Sequence, residues 1–240
     1  MLPRINVIRT GIGEFLLPAT GDVISRNLQF AGTWEPLTLA IAGVLLPQNA
    51  THVVDIGANL GAFAIPIGKR MLQSKGKVTS FEAQRVVYYQ LCGNIYLNRL
   101  DNVFAYHLAI GDRDGHIDVP VLDYANEVNI GALSLDRSIR AQEEQTKTAR
   151  HATTTDQTPI KTLDALALDP ADLVKIDVEG MEFDVLNGAK SWLSSSAFPP
   201  LLFELWALGR PLRANDDETS SPRKITLEGV GETSTWLCPA

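Results

Sequence analysis

The stretch Val53-Val54-Asp55-Ile56-Gly57-Ala58-Asn59-Leu60-Gly61-Ala62-Phe63 decides the fold. It opens as a short, β-branched, apolar run and closes on Asp and Gly. A helical pattern follows, from about Leu60 to Leu72. The same alternation then repeats. KVTSFEA, beginning at Lys77, reads as a buried strand with an acid at its end, and helix signals run over Gln84 to Arg99. VFAYHLAIGD from Val103 is a strand and turn. ADLVKIDVEG from Ala171 is a strand, a helix is expected from Met181 to Leu193, and PPLLFELW from Pro199 is one more strand. Strands that are apolar almost throughout, alternating with helices, predict a doubly wound α/β domain: a mostly parallel sheet with helices on both faces.

Outward from this core the signals change. Residues 1–33 read as short strands and turns, punctuated at Gly11, Gly13, Pro18 and Gly21. A helix is expected from Glu35 to Leu46, with Pro36 in its first turn and Pro47 as its stop. Residues 1–50 are thus expected to flank a ligand-binding domain at 51–240. Two polar stretches, 136–159 and 209–223, are expected as long loops. Pro66 falls inside the first core helix and is expected to kink it. After FELW the chain is short and polar, and one or two modest strands are expected there. The sheet edge is therefore expected to be trimmed, or the chain cut short.

Composition removes several function classes. The chain has 240 residues, 45% hydrophobic and 20% charged, which excludes wholesale disorder. Cys92 and Cys238 are its two cysteines, too few for a disulfide scaffold. The formal net charge of −7 leaves no basic footprint for nucleic acid or an anionic membrane surface. No apolar run reaches the roughly 20 residues of a membrane span, and the N-terminus lacks the apolar segment of a signal peptide. A cytoplasmic protein is expected, and its oligomeric state is left open.

Gly57 and Gly61 stand just past a strand, where α/β sheets bind ligands and where glycine lets the backbone approach one closely. The dinucleotide fingerprint needs G-x-G-x-x-G, and the spacing here fails it. Asp55 at the strand tip is a second objection. A carboxylate about 4 Å from a phosphate is repelled by roughly 4 kcal/mol at an effective dielectric near 20. S-adenosylmethionine carries an ammonium and a sulfonium and no phosphate, and suits an acidic tip. Glu82, ending the second strand, is placed to accept hydrogen bonds from ribose hydroxyls, or else to cap the next helix.

These residues resemble a known family. VVDIGANLGAF, SFEA, LAIGDRDG, VKIDVEGMEFDVLNGA and FEL together are similar to the FkbM family of S-adenosylmethionine-dependent methyltransferases, over residues 34–206. The resemblance implies a class I, Rossmann-like methyltransferase fold. It also implies methyl transfer from S-adenosylmethionine to an oxygen of a small molecule or sugar, leaving S-adenosylhomocysteine. It places Asp55, Gly57, Asn59 and Gly61 in the first cofactor motif and Glu82 at the ribose. Ala109, Ile110, Gly111 and Asp112 fall near the adenine, and Asp177, Glu179 and Gly180 near the transferred methyl. Val128-Asn129-Ile130-Gly131 resembles a substrate-side loop, which makes Asn129 and Gly131 substrate candidates.

Methyl transfer demands alignment of the acceptor at about 3–3.5 Å and, for a hydroxyl, a base worth roughly 10²–10⁴-fold. Asp177 is the first candidate base and Glu179 the second, with Glu182 three positions on. The alternative is that these acids cap the following helix. No histidine accompanies them, so no metal is expected. Trp34 and Trp206 flank the domain, with core packing the expected role. Two other functions stay open: a catalytically silent nucleotide-binding module on the same fold, and an NAD-dependent oxidoreductase, which Asp55 and the glycine spacing disfavour.

Overall fold

A computed structural model of the chain describes residues 2–19, 22–124, 130–131, 133–135, 154–203, 223–226 and 235–238. The centre is a mixed sheet. Strands β3 (His52–Ile56), β4 (Lys77–Glu82), β5 (Val103–His107), β9 (Leu173–Ile176) and β10 (Leu201–Phe203) run parallel, in the spatial order β5-β4-β3-β9-β10. Every residue of β3 and β9 is buried, because both faces of the sheet are covered. Val53 and Leu173 pack on one face with Leu28, Ala42, Ile65 and Leu91, while Val54 and Val174 pack on the other with Val185, Trp192 and Phe203. The doubly wound architecture is as the strand pattern predicts.

The far edge corrects one expectation. Strands β11 (Arg223–Thr226) and β12 (Thr235–Cys238) pair antiparallel, and β12 lies antiparallel beside β10. The edge is not trimmed. The polar stretch 204–222, which contains most of the expected loop at 209–223, lies outside the described residues.

Helices differ from the sequence reading where caps were hidden. Residues 23–31, read as strands and turns, form α1 (Val23–Ala31) behind the hairpin β1 (Ile5–Arg9) and β2 (Glu14–Pro18). Asp22 caps it by accepting from the Ser25 amide at 2.9 Å, and Gly32 ends it at φ 70°. The helix α2 (Pro36–Leu45) is as expected. The first core helix, α3 (Ala64–Met71), begins four residues later than the pattern suggested. Pro66 therefore sits in its first turn, where the missing N–H has no helical partner to lose, and no kink is needed. α4 (Arg85–Leu97) carries Asn94 and ends on Asn98 at its C-cap; their side chains accept the Leu16 and Glu14 amides and so tie down the hairpin edge.

Two further departures follow from tertiary contacts. Strands β6 (Ala109–Ile110), β7 (Gly115–Val121) and β8 (Thr154–Lys161) form a separate three-stranded sheet, so the end of the expected 136–159 loop is strand; residues 136–153 lie outside the described set. The single helix expected from Met181 is two, α5 (Glu182–Asn187) and α6 (Lys190–Ser195). Gly188 breaks it by packing against the Gly111 carbonyl, and Asp164 caps α6 by accepting the Trp192 and Ser191 amides at 2.7 and 3.2 Å. Among the described residues no helix is long and apolar enough to cross a membrane.

Candidate active site

The carboxyl ends of β3, β4 and β9 open onto a cavity of about 210 Å³. Its floor is the turn after β3. The Gly57 and Ala58 amides donate to the Phe81 carbonyl at 3.0 and 2.9 Å, which folds the chain back over β4. Gly57, Asn59 and Gly61 all take positive φ, at 78°, 50° and 93°. Asn59 tolerates the left-handed region because its own side-chain oxygen accepts the Leu60 amide at 2.7 Å.

A Cβ on Gly57 would strike the Asp177 carbonyl, so the glycine lets two strand ends meet at the wall of the cavity it lines.

Glu82 ends β4 and is 6% exposed. One carboxylate oxygen accepts the Asn59 amide at 2.9 Å and the other the Gln84 amide at 2.7 Å. Burial pushes its carboxyl up to about 7, and these two hydrogen bonds offset part of the rise. The Gln84 amide that it accepts stands at the N-terminus of α4, so Glu82 both holds the start of that helix and faces the cavity. Gln84 also lines the cavity, and its buried side-chain oxygen has no partner among the described residues.

Asp55, Lys175 and Asp177 form a charge cluster dictated by register. Asp55 and Lys175 are partners across the parallel pair β3 and β9, and Asp177 follows Lys175 by two residues. Lys175 Nζ stands 2.8 Å from Asp177 Oδ2 and 3.9 Å from Asp55 Oδ1, with the Phe63 ring 5.7 Å away. Burial opposes charge on the lysine, but Asp177, Asp55 and Glu35 outweigh it and hold the ammonium above its ordinary value. Asp55 is fully buried, and neither of its oxygens has a hydrogen-bond partner among the described residues. Burial raises its carboxyl to about 6 despite Lys175. Asp55 does not line the cavity. The cation it faces in the structure is the protein's own Lys175.

The other candidates divide. Asp177, Glu179, Asn59, Gly57, Ala109, Ile110 and Gly131 line the cavity. Gly61 sits beneath it against Leu91. Gly111 is buried against Ile160, and Asp112 is exposed and pairs with Arg113 at 3.2 Å; neither lines the cavity. Glu182 turns back to accept the Gly180 amide at 2.9 Å instead of joining Glu179 on a helix face. The residue at the N-cap of α5, Met181, makes no side-chain cap bond. Asn129 and Trp206 lie outside the described residues. Sequence reading missed the contribution of α1 and α2: Val23, Ile24, Glu35, Thr38 and Leu39 join Trp34 in the wall. Trp34 both packs on the core and faces the cavity. Among the described residues no three of His, Cys, Asp and Glu converge to hold a metal.

Residues 55–204 match the model of the methyltransferase FkbM domain. The chain belongs to the FkbM methyltransferase family. The match spans the glycine turn, Glu82, Lys175 and Asp177, on the class I, Rossmann-like frame described above. It leaves out α1 and α2, so part of this FkbM cavity is built by residues before the family domain.

Solved structures offer weaker likenesses. The FkbM methyltransferase of Methylobacillus flagellatus KT is 18% identical over 73% of this chain and 38% of its own, with a TM-score of 0.46. The precorrin-6y C5,15-methyltransferase of Geobacter metallireducens GS-15 is 14% identical over 85% of this chain and 91% of its own, at 0.45. The tRNA (uracil-54, C5)-methyltransferase of Pyrococcus abyssi, in complex with S-adenosyl-L-homocysteine, is 9% identical over 83% and 34%, at 0.42. This chain thus spans little more than a third of the Methylobacillus protein's length. No curated protein sequence matches it.

Proposed function

We propose that the chain is an S-adenosylmethionine-dependent methyltransferase acting on an oxygen of a small molecule or sugar. One observation carries the cofactor reading: the charged side chains among the described cavity residues are Glu35, Glu82, Asp177 and Glu179 against Lys175 alone. A phosphate entering such a wall meets net repulsion, whereas a ligand with a cationic end meets attraction. The fit at Glu82 agrees, since a buried carboxylate at the end of the second core strand has acceptor capacity left after two amide bonds.

When bound, S-adenosylmethionine supplies a methyl group on a sulfonium leaving group. Glu82 and the Asn59 turn are assigned to hold the ribose, and Ala109 and Ile110 to the adenine. The apolar side chains of α1 and α2, with Phe63, exclude water from the cavity. Asp177, with one oxygen on Lys175, is the group assigned to take the acceptor's proton, and Glu179 is the second candidate. The acceptor is assigned on the family resemblance.

Calorimetry with S-adenosylhomocysteine (SAH), S-adenosylmethionine and NAD tests the cofactor. SAH is expected to bind and NAD is not; tighter binding of NAD would sink the reading. A methyl-release assay over hydroxyl, amine and thiol acceptors then tests the oxygen assignment.

A further inference from the structure

Asp22 is 2% exposed and uses both carboxylate oxygens. Oδ2 accepts the amide and the hydroxyl of Ser25, each at 2.9 Å, and so caps α1. Oδ1 does something unrelated to capping: it accepts the Ile130 amide at 3.0 Å, across 108 residues of chain. The Ile130 carbonyl is held from the opposite side by the Gln84 side-chain amide at 3.2 Å. The main chain of one residue is thus gripped at both its donor and its acceptor by two buried polar side chains.

The next residue is wedged into the cavity wall. A Cβ on Gly131 would stand 2.7 Å from Asn59 Nδ2 and 2.9 Å from Ile24 Cδ1, so the strand of chain fills the gap between α1 and the glycine turn. Asn59 is the residue whose amide binds Glu82. Ile130–Gly131 therefore closes the cavity over the Asn59–Glu82 end, and Asp22 ties that closure to a helix outside the family domain.

We propose that Asp22 is a positioning residue that clips the Ile130–Gly131 wall over the cofactor, and that opening this clip sets the rate of cofactor exchange. The inference rests on the cofactor reading above. A bound nucleoside at the Glu82 end leaves by parting this wall from α1 or from Asn59. The bond between Asp22 and the Ile130 amide has two buried partners, so removing the acceptor leaves a buried amide unsatisfied.

The two jobs of Asp22 separate by substitution. Serine caps a helix as well as aspartate does but is too short to reach Ile130. D22S is expected to melt within a few degrees of wild type, while SAH leaves it at least about tenfold faster by surface plasmon resonance. Q84L removes the grip on the Ile130 carbonyl without touching α1, and is expected to speed SAH release in the same direction. If D22S does not fold, Q84L decides. Wild-type release rates in Q84L, or in a folded D22S, would overturn the clip and leave the cofactor reading standing. Failure of wild type to bind SAH would overturn both.

Discussion

Gly57 and Asp177 are in backbone contact: a Cβ on the glycine would collide with the aspartate's carbonyl oxygen. The two motifs that define the site, one after β3 and one after β9, are therefore fitted to each other before any ligand arrives. The Asp177 amide donates to the Ile56 carbonyl at 2.9 Å and fixes the same junction.

Gly57→Ala is accordingly a stability variant first. A left-handed φ of 78° costs an L-residue about 1–2 kcal/mol, and here the new methyl also meets backbone, which cannot rotate away. A loss of at least about 2 kcal/mol is expected by chemical denaturation, with SAH binding lost as a consequence. Gly61→Ala, at φ 93°, meets only the ends of Leu91 and Ile65 side chains and should cost less. Near-native stability in Gly57→Ala would show that the strand ends are not locked in this way.

Asp55 makes stability depend on pH in a definite direction. Its folded carboxyl titrates at about 6 against an ordinary 3.8, because burial disfavours the charge more than Lys175 restores it. Between about pH 4 and 6 the folded chain keeps a proton that the unfolded chain has lost. Stability from this group therefore falls as pH rises through that window and is level above it. Glu82 adds the same sign up to about 7, while His52, held below 6.5 by burial, acts oppositely, since its stability is lost as pH falls. The difference between wild type and Asp55→Asn isolates the aspartate. Melting temperatures from pH 4.5 to 7.5 should fall more steeply in wild type; parallel curves would refute the assignment.

Glu82 makes the same kind of statement about binding. Hydroxyl donors favour its ionised form, and in the free protein that form is reached only near pH 7. SAH affinity should weaken by up to about tenfold per pH unit as pH drops below 7, and level off above it. Glu82→Gln should bind more weakly and lose this slope. Affinity that is flat from pH 5.5 to 8 in wild type would remove Glu82 from the ribose.

What the sequence disclosed was set by how local the signal is. The buried strands around Val54, Phe81 and Val174 need only a run of apolar residues, and all three were legible, as was the carboxylate at the end of β4. The helix α1 was not, because Asp22 and Gly32 look like turn residues until one knows they are its caps. The facing of Asp55 was not legible either. Its partner, Lys175, lies 120 residues away and is brought opposite by strand register alone. Strand β8 is polar along one side, because the small sheet it joins is partly exposed, so its residues read as loop.

Asp177→Asn separates binding from chemistry. The substitution keeps size and removes charge, and it leaves the backbone contact with Gly57 in place. If Asp177 takes the acceptor's proton, turnover should fall by about 10²-fold or more while SAH affinity changes little. If it instead holds the cofactor, affinity and turnover fall together. Stability offers a third reading. Lys175 is buried between Asp177 and Asp55, and removing one carboxylate leaves the ammonium with its more distant partner at 3.9 Å. A drop in melting temperature is therefore expected from the broken pair whatever the chemistry, and it must be subtracted before turnover is interpreted. The comparison variant is Glu179→Gln, which lines the same cavity and leaves both partners of the Lys175–Asp177 bond unchanged. A normal rate in Asp177→Asn together with a depressed rate in Glu179→Gln would move the base to Glu179.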